Sequence, residues 1–310
     1  MKRIILAGGS GFLGNALADH FSRVGYEVVI LTRTPQANRR NIREVIWDAR
    51  RLGKWTQELE DAAAVVNLTG KSVDCRYTAQ NRTEILESRV QSTRVLGDAI
   101  AQCSQPPPAW LNASTATIYR HTFGPAWDES GTIGGTPEAK DIFSVEVACA
   151  WENALNQAKT PHTRKVALRT AMVLGRGKNS VFPVVRRLAR LGLGGKMGSG
   201  KQFVSWIHEA DFCRTMDWLI SHQDLQGPIN VCAPNPISND EMMRILRRLV
   251  GVPIGLPATR WMLEIGAFFL RTETELILKS RRVIPGKLIE SGFGFQLPFF
   301  REAVEDLHTH

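Results

Sequence analysis

The sequence predicts an α/β fold: a parallel sheet covered by helices, followed by a smaller, less regular lobe. Three observations lead there. The chain opens as strand, glycine-rich turn, helix and strand; the alternation of apolar strands and amphipathic helices then recurs; and the rhythm changes after LRTAMVLG, Leu168–Gly175.

The elements follow in order. Arg3–Ala7 is a short apolar run, GGSGFLG follows it, and Ala16, Leu17, Phe21 and Val24 of NALADHFSRVG share one helical face. Gly25 closes that helix, and the β-branched YEVVIL, Tyr26–Leu31, reads as the second strand. AAAVVN, Ala62–Asn67, is a buried strand, EILESRVQSTRVLGDAIAQC a long amphipathic helix, and Pro106, Pro107 and Pro108 a rigid connector into the strand AWLNAS. WENALNQAK ends a helix, and VALRTAMVLG from Val166 is the next strand. Such alternation calls for a parallel sheet with helices on its faces. Beyond it, glycine and arginine are dense from Gly175 to Gly200. Ser238 and Glu241 form a capping box opening EMMRILRRLVG, and Pro253, Pro257, Pro285 and Pro298 punctuate the remainder.

Composition narrows the function classes. With 310 residues, 43% hydrophobic and 22% charged, the chain is long enough for one large domain or two closely packed ones. Its apolar runs, WMLEIGAFFL from Trp261 included, fall short of the ~18 residues a membrane helix needs. Lys2-Arg3 before an apolar run imitates a signal peptide, but that run is glycine-rich, Asn15 and Asp19 follow closely, and no small-residue cleavage site appears; a cytoplasmic location is expected. Cys75, Cys103, Cys149, Cys213 and Cys232 show no C-x-x-C spacing, so neither disulfides nor a metal site is expected. The net charge of +9 is distributed over scattered arginine pairs and not one basic block, which suits an anionic small molecule as well as nucleic acid.

Two glycine motifs compete for a phosphate. Gly195-x-x-x-x-Gly200-Lys201 is a P-loop in every position but the last, where Gln202 replaces the magnesium-binding hydroxyl; helix-like VVRRLARLGLG precedes it instead of a strand, so a flexible loop, one that covers a substrate, is the expectation. Gly8-x-x-Gly11-x-x-Gly14 sits where a dinucleotide site requires it, between the first strand and its helix. Gly8, Ser10, Gly11, Phe12, Leu13 and Gly14 are the candidate pyrophosphate cradle at a helix N-terminus. At the end of the second strand, an NAD site would carry an acid for the ribose hydroxyls; here the chain reads Leu31-Thr32-Arg33-Thr34, and Arg33 favours the 2′-phosphate of NADP, with Arg39 and Arg40 as reinforcement or plain surface charge. Asp48 is placed either to accept the adenine amino group or to cap a helix.

GGSGFLG, VVNLTG (Val65–Gly70), ASTATIY (Ala113–Tyr119) and LRTAMVLG together resemble the short-chain dehydrogenase/reductase superfamily, in its extended, epimerase-like branch. ESRVQSTRVL, GLGGKMGSGKQFVSWIHEAD and SRRVIPGKLIESGFGFQLP narrow the resemblance to an atypical subfamily of nucleoside-diphosphate-sugar epimerases or NADP-binding oxidoreductases. The resemblance implies a doubly wound Rossmann domain over residues 1–180, to which 210–235 return, and a substrate-binding lobe from 181–209 and 236–310. It places Leu68, Thr69 and Gly70 against the cofactor, and Arg169 either there, against a substrate, or as a stabiliser of its strand end.

The superfamily's acid/base chemistry uses a Ser or Thr with a Tyr-x-x-x-Lys pair, whose lysine lowers the phenol from its free pKa of ~10. That pair is missing. Tyr26, Tyr77 and Tyr119 are followed four residues on by Ile30, Asn81 and Phe123, and matching Trp151-Glu152 to the superfamily pattern puts Ser144 and Ala148 at the two places. Ser114 or Thr115 keeps the hydroxyl position, and Tyr119 is the best remaining phenol on this reading, as acid/base or as a structural aromatic. His121, Asp141 and Glu146 are weaker candidates. In SWIHEAD, Asp211 reads as a helix N-cap and His208 as a structural histidine, while Arg76 and Arg89 suit an anionic substrate group and Cys75 beside Arg76 has no assigned role. The expected function is an NADP(H)-dependent oxidoreductase or epimerase acting on a small hydroxyl- or carbonyl-bearing substrate, nucleotide sugars included. A catalytically silent NADP sensor or scaffold is the alternative. A small-molecule partner, no nucleic acid, no membrane, and a monomer or homodimer complete the expectation.

Overall fold

The computed structural model of the chain describes residues 2–36, 39, 41–177, 179–270 and 273–309. Eleven strands and ten helices are found among them: β1 (Arg3–Ala7), α1 (Phe12–Arg23), β2 (Glu27–Thr32), β3 (Ile42–Ile46), β4 (Ala64–Asn67), α2 (Ala79–Ala101), β5 (Ala109–Thr115), α3 (Ile142–Gln157), β6 (Arg164–Thr170), β7 (Met172–Leu174), α4 (Val181–Arg190), β8 (Phe203–Val204), β9 (Trp206–His208), α5 (Glu209–Ser221), β10 (Gly227–Val231), β11 (Ile237–Ser238), α6 (Asn239–Leu249), α7 (Arg260–Leu270), α8 (Glu275–Leu278), α9 (Gly286–Glu290) and α10 (Phe300–Thr309). Arg40, one of the arginines considered for the 2′-phosphate, lies outside the described residues.

Seven strands form one parallel sheet in the order β10-β6-β5-β4-β1-β2-β3. Both faces are covered, because alternate side chains of each strand enter different cores. Ile4, Leu6, Val28, Ile30 and Val66 pack with Leu17 and Phe21 of α1 and Phe212 and Met216 of α5. Ile5, Ala7, Val29, Leu31 and Val65 pack with Val95, Leu96 and Ala99 of α2. The strand order reverses between β1 and β4, and in an open α/β sheet that reversal leaves a crevice at the carboxyl ends of the strands.

VALRTAMVLG is not one strand. Thr170 ends β6 in the large sheet, and after Ala171 the chain leaves for β7, which pairs in parallel with β9. A further apolar centre forms there, from Leu174, Phe182, Trp206, Met243 and Leu246 with Phe300 and Val304 of the last helix. Leu288 and Phe293, although late in the chain, join the core beneath the sheet and not this one.

Candidate cofactor and substrate crevice

The turn between β1 and α1 is shaped by three different demands on glycine. Gly8 has φ +71°, and a Cβ there would lie 2.6 Å from Thr69 Oγ1, so the turns after β1 and β4 touch. Gly14 brings α1 against Gly9, whose backbone a Cβ would meet at 2.2–2.4 Å. Gly11 is the opposite case: it is exposed, a Cβ there would meet nothing within 4 Å, and as the N-cap of α1 it supplies no side-chain acceptor. The helix therefore presents its first amides and positive dipole end to the crevice, which fits a pyrophosphate. Asn15 holds the turn by donating to the Ser10 and Gly11 carbonyls at 3.0 and 2.9 Å. Phe12 packs under Gly175 and Gly177, and a cavity of about 330 Å³ opens beside Ser10, Gly11, Phe12, Asn15, Asp19 and Glu209. Leu13 is half-buried against the sheet core.

Around this cradle the other candidates take distinct places. The Leu68 amide donates to Ala7 O at 2.8 Å and the Thr69 amide to Asn67 Oδ1 at 3.1 Å, while Thr69 Oγ1 is a buried hydroxyl with no hydrogen-bond partner. Gly70 lies against Arg89, whose guanidinium donates to Lys71 O and Ile85 O and stacks over Trp151. At the far end, Thr32 is buried and Arg33 exposed, just past β2. Arg39 reaches back to Asp19 and Asn15, both at 3.2 Å. Asp48 Oδ1 accepts the Arg50 and Arg51 amides at 2.9 Å each, which lowers its pKa and makes it the cap of its own turn.

The structure gives Ser114 different work from that expected of it, and gives Tyr119 and Arg169 the structural one of their alternative roles. Ser114 Oγ donates to Glu152 Oε1 at 2.6 Å. Glu152 holds the Arg169 guanidinium through two bonds of 2.9 Å, Arg169 donates to the Tyr119 hydroxyl at 2.8 Å, and that hydroxyl donates to Asn230 Oδ1 at 2.8 Å. All five residues are buried. Burial pushes the Tyr119 phenol up to about 12, but what makes it a structural aromatic is that its hydroxyl is engaged on both sides, accepting from Arg169 and donating to Asn230. Arg169 likewise ties β6 to α3, with its charge matched inside the protein. Thr115 differs from its neighbour: it is only half-buried, points to the other face of β5, and accepts the Thr117 amide at 3.1 Å.

Two sequence expectations are corrected in the later segments. The glycine loop 194–202 is not loose: the Gly195, Gly198 and Gly200 amides donate to Leu256 O, Ala258 O and Met197 O, and the Gln202 side chain is buried on Met197 O. Its donors face its own fold, and α4 precedes it. In SWIHEAD, the N-cap of α5 is His208, whose Nδ1 accepts the Ala210 amide at 3.0 Å; Asp211 is instead fully buried and accepts the Gln296 and Leu297 amides at 2.9 Å, clamping the chain end. His208 also has the carboxylate partner that spacing did not reveal, Asp306 of α10, at 3.3 Å.

One polar cluster was missed. Lys279, with its side chain fully buried, pairs with Asp141 and donates to Thr117 O at 2.6 Å; Arg281 donates to Thr117 Oγ1 at 3.1 Å, and His121 accepts the Ser280 amide at 2.9 Å. Glu275 is 4% exposed and its Oε1 has no hydrogen-bond partner. Glu275 brings this cluster up to Ser144, at the amino end of α3. Some of the cluster's partners are 138 or more positions apart in the chain, as in Asp141 with Lys279, so no local spacing connects them.

The fold is the Rossmann-like fold of the epimerases, and the chain belongs to the NAD dependent epimerase/dehydratase family, whose profile matches residues 4–232. Residues 258–307 match a domain of unknown function, DUF1731. Within that family the chain is similar to the epimerase family protein SDR39U1: it is 31% identical to the Bos taurus protein over 98% of this chain and 99% of that one. It is 30% identical to the epimerase family protein YfhF of Bacillus subtilis, over 94% of this chain and 93% of that one. The crystal structure of human SDR39U1 (isoform 2) with NADPH superposes with a TM-score of 0.86 at 27% identity, covering 99% of each chain. Among the described residues, no helix is long and apolar enough to cross a membrane.

Proposed function

We propose that the chain binds NADP(H) in the cradle after β1 and uses it to oxidise or reduce a small hydroxyl- or carbonyl-bearing molecule, in net oxidoreduction or in epimerisation. The observation that carries this reading is the open face of Gly11 at the uncapped end of α1, with Arg33 exposed where an NAD site would hold an acid. The NADPH bound in the human relative supports the same choice. When bound, the cofactor supplies the hydride chemistry. The protein's own contribution begins with Gly8, Ser10, Gly11, Phe12, Leu13 and Gly14 at the pyrophosphate, and Arg33 with Thr32 at the 2′-phosphate. Asp48 serves the adenine end, and Leu68, Thr69 and Gly70 line the crevice wall. Thr115 polarises the substrate oxygen: its Oγ1 already accepts an amide, so its proton is the part it offers. Nucleotide sugars are the first substrate class to screen, and we assign the protein to the cytoplasm as a monomer or homodimer with no nucleic-acid or membrane partner.

The second reading is a silent NADP sensor, favoured by Ser144 and Ala148 at the places of the superfamily's tyrosine and lysine. A calorimetric titration with NADPH, NADP, NADH and NAD tests both. Tight binding of the phosphorylated pair, weakened roughly 10-fold or more by Arg33→Ala while NADH is unaffected, is the expected result. Failure of all four to bind rejects both readings; turnover of any carbonyl substrate that Thr115→Val abolishes separates enzyme from sensor.

A further inference from the structure

The three positions Ser144, Ala148 and Glu152 of α3 lie four residues apart and so share one face of the helix. Glu152 meets Ser114 near the carboxyl end of β5, and Ala148 is fully buried beside Ala116 and Ile118. Ser144 is therefore carried about 12 Å beyond Glu152, over the crevice at the carboxyl ends of the strands. Ser144 does not stand there alone. The chain between β4 and α2 returns to the same place with Tyr77, whose ring packs edge-to-face on Phe143 at 5.1 Å and whose amide donates to Glu273 Oε1 at 2.8 Å. Ser144 sits beside both the Tyr77 phenol and the Glu275 carboxyl and pulls the pKa of each downward, against the burial that raises them.

We propose that Tyr77 is the proton donor of this site: a phenol from the β4–α2 segment stands in for the one missing from α3, with Ser144 and Glu275 as its proton relay. The inference rests on the NADP(H) reading above. In the reducing direction, the substrate carbonyl carbon takes a hydride from the reduced nicotinamide, and its oxygen takes the Tyr77 proton to become the alcohol. The phenolate is then reprotonated through the Ser144 hydroxyl from the Glu275 carboxyl, which recovers a proton from water. The environment suits this direction. Burial pushes the Tyr77 phenol up to about 12, with the Glu275, Cys75 and Glu273 side chains acting the same way, so it is held protonated; burial also raises the Glu275 pKa, which favours its acid form. Against these stand three cations, Arg281 and Arg89 nearby and Arg82 over the ring at 6.0 Å, which stabilise the phenolate once it forms. Glu275 Oε1 is buried with no hydrogen-bond partner, so nothing else in the fold competes for the proton it would pass to Ser144.

The test uses the fact that the chain has only three tyrosines. Protein labelled with ¹³C at the tyrosine Cζ is titrated with pH by NMR, with and without NADP, and dinucleotide binding is measured separately by calorimetry. The Tyr77 resonance is assigned by its loss in Tyr77→Phe, or by its shift in Ser144→Ala should the first variant not fold. NADP, with its positively charged ring, is expected to shift the Tyr77 resonance and to lower its pKa by at least about one unit, a tenfold change in acidity, with Tyr26 unmoved. Tyr77→Phe is expected to bind NADPH as the wild type does while losing at least roughly 100-fold in the turnover of any aldehyde or ketone that the wild type reduces. Should NADP bind and leave the Tyr77 titration unchanged, the phenol is not at the reacting end, and the inference fails while the cofactor reading stands. Should no dinucleotide bind, both fail together.

Discussion

Two glycine-rich turns in this protein carry the glycine spacing of a phosphate site and have opposite structures. A Cβ at Gly11 would enter open space, whereas one at Gly195 would lie 2.3 Å from Leu256 O. The first turn leaves the end of α1 without a side-chain cap; the second directs three glycine amides onto carbonyls of its own fold. Four other helices are closed by side chains, Thr78, Ser180, His208 and Ser238 capping α2, α4, α5 and α6, whereas α3, α8 and α9 lack a side-chain cap as α1 does but do not follow a glycine turn at the switch point of the sheet. A phosphate site is thus recognised by which donors the fold leaves unengaged, and glycine spacing alone does not report that.

The largest effect expected extends the contrast from amides to side chains. Arg169 is the internal counterpart of Arg33: both end a strand at the crevice, but Arg169 is 4% exposed and held by Glu152. Removing Glu152 strands a buried guanidinium, so Glu152→Ala is expected to cost ~3–5 kcal/mol in urea unfolding, with Glu152→Gln costing clearly less. Equal losses for both would mean that Arg169 depends on the carboxylate's charge and not on the hydrogen bonds that glutamine retains. Next comes Gly11→Asp. It places a carboxylate at the open turn, weakening NADPH by about 3 kcal/mol, or roughly 100-fold, through repulsion of the pyrophosphate. The same residue is a good N-cap, so stability should rise by about a few tenths of a kcal/mol. Calorimetry and thermal melts on one variant therefore move in opposite directions; an unchanged affinity would place the phosphates elsewhere. Gly195→Ala is the mirror image, losing ~1–3 kcal/mol of stability to overpacking against Leu256 with no change in NADPH affinity.

What could be read in advance follows the same division. The βαβ opening, its glycine turn and the Ser238 cap depend on neighbours within a few residues, so periodicity and spacing sufficed for them. Ser114 was given a substrate, and Tyr119 and Arg169 were left between two readings each, because their partners, Glu152, Asn230 and one another, come from separate strands and a helix, and strand-end position says nothing about which polar group is already matched. Asp211 was mistaken for a cap for a related reason. Its real partners are the Gln296 and Leu297 amides, 85 and 86 residues away. The cluster around Ser144 was the least legible of all, since its members are assembled only when the last fifty or so residues fold back over α3.

The smallest predicted effect turns on pH and on the capped end of α5. His208 is 3% exposed, and burial lowers its pKa, against the opposing pull of Asp306 and Asp211. The unfolded chain, with an ordinary imidazole near ~6.5, then binds a proton before the folded one does, so this group's contribution is fully present above that value and is lost as pH falls toward the lowered folded pKa. His121, shifted in the same direction by burial, adds to the slope. His208→Asn retains an N-cap acceptor and removes the titration, so urea midpoints measured between about pH 7.5 and 5.5 should fall less steeply than in the wild type while agreeing with it closely at the upper end. A variant that lost stability equally at every pH would show that the link to Asp306, and not the neutral imidazole, is what holds α10 against this helix end. The open end of α1 supplies the control: with no titratable group at its cap, Gly11→Ala should leave the pH slope of stability unchanged.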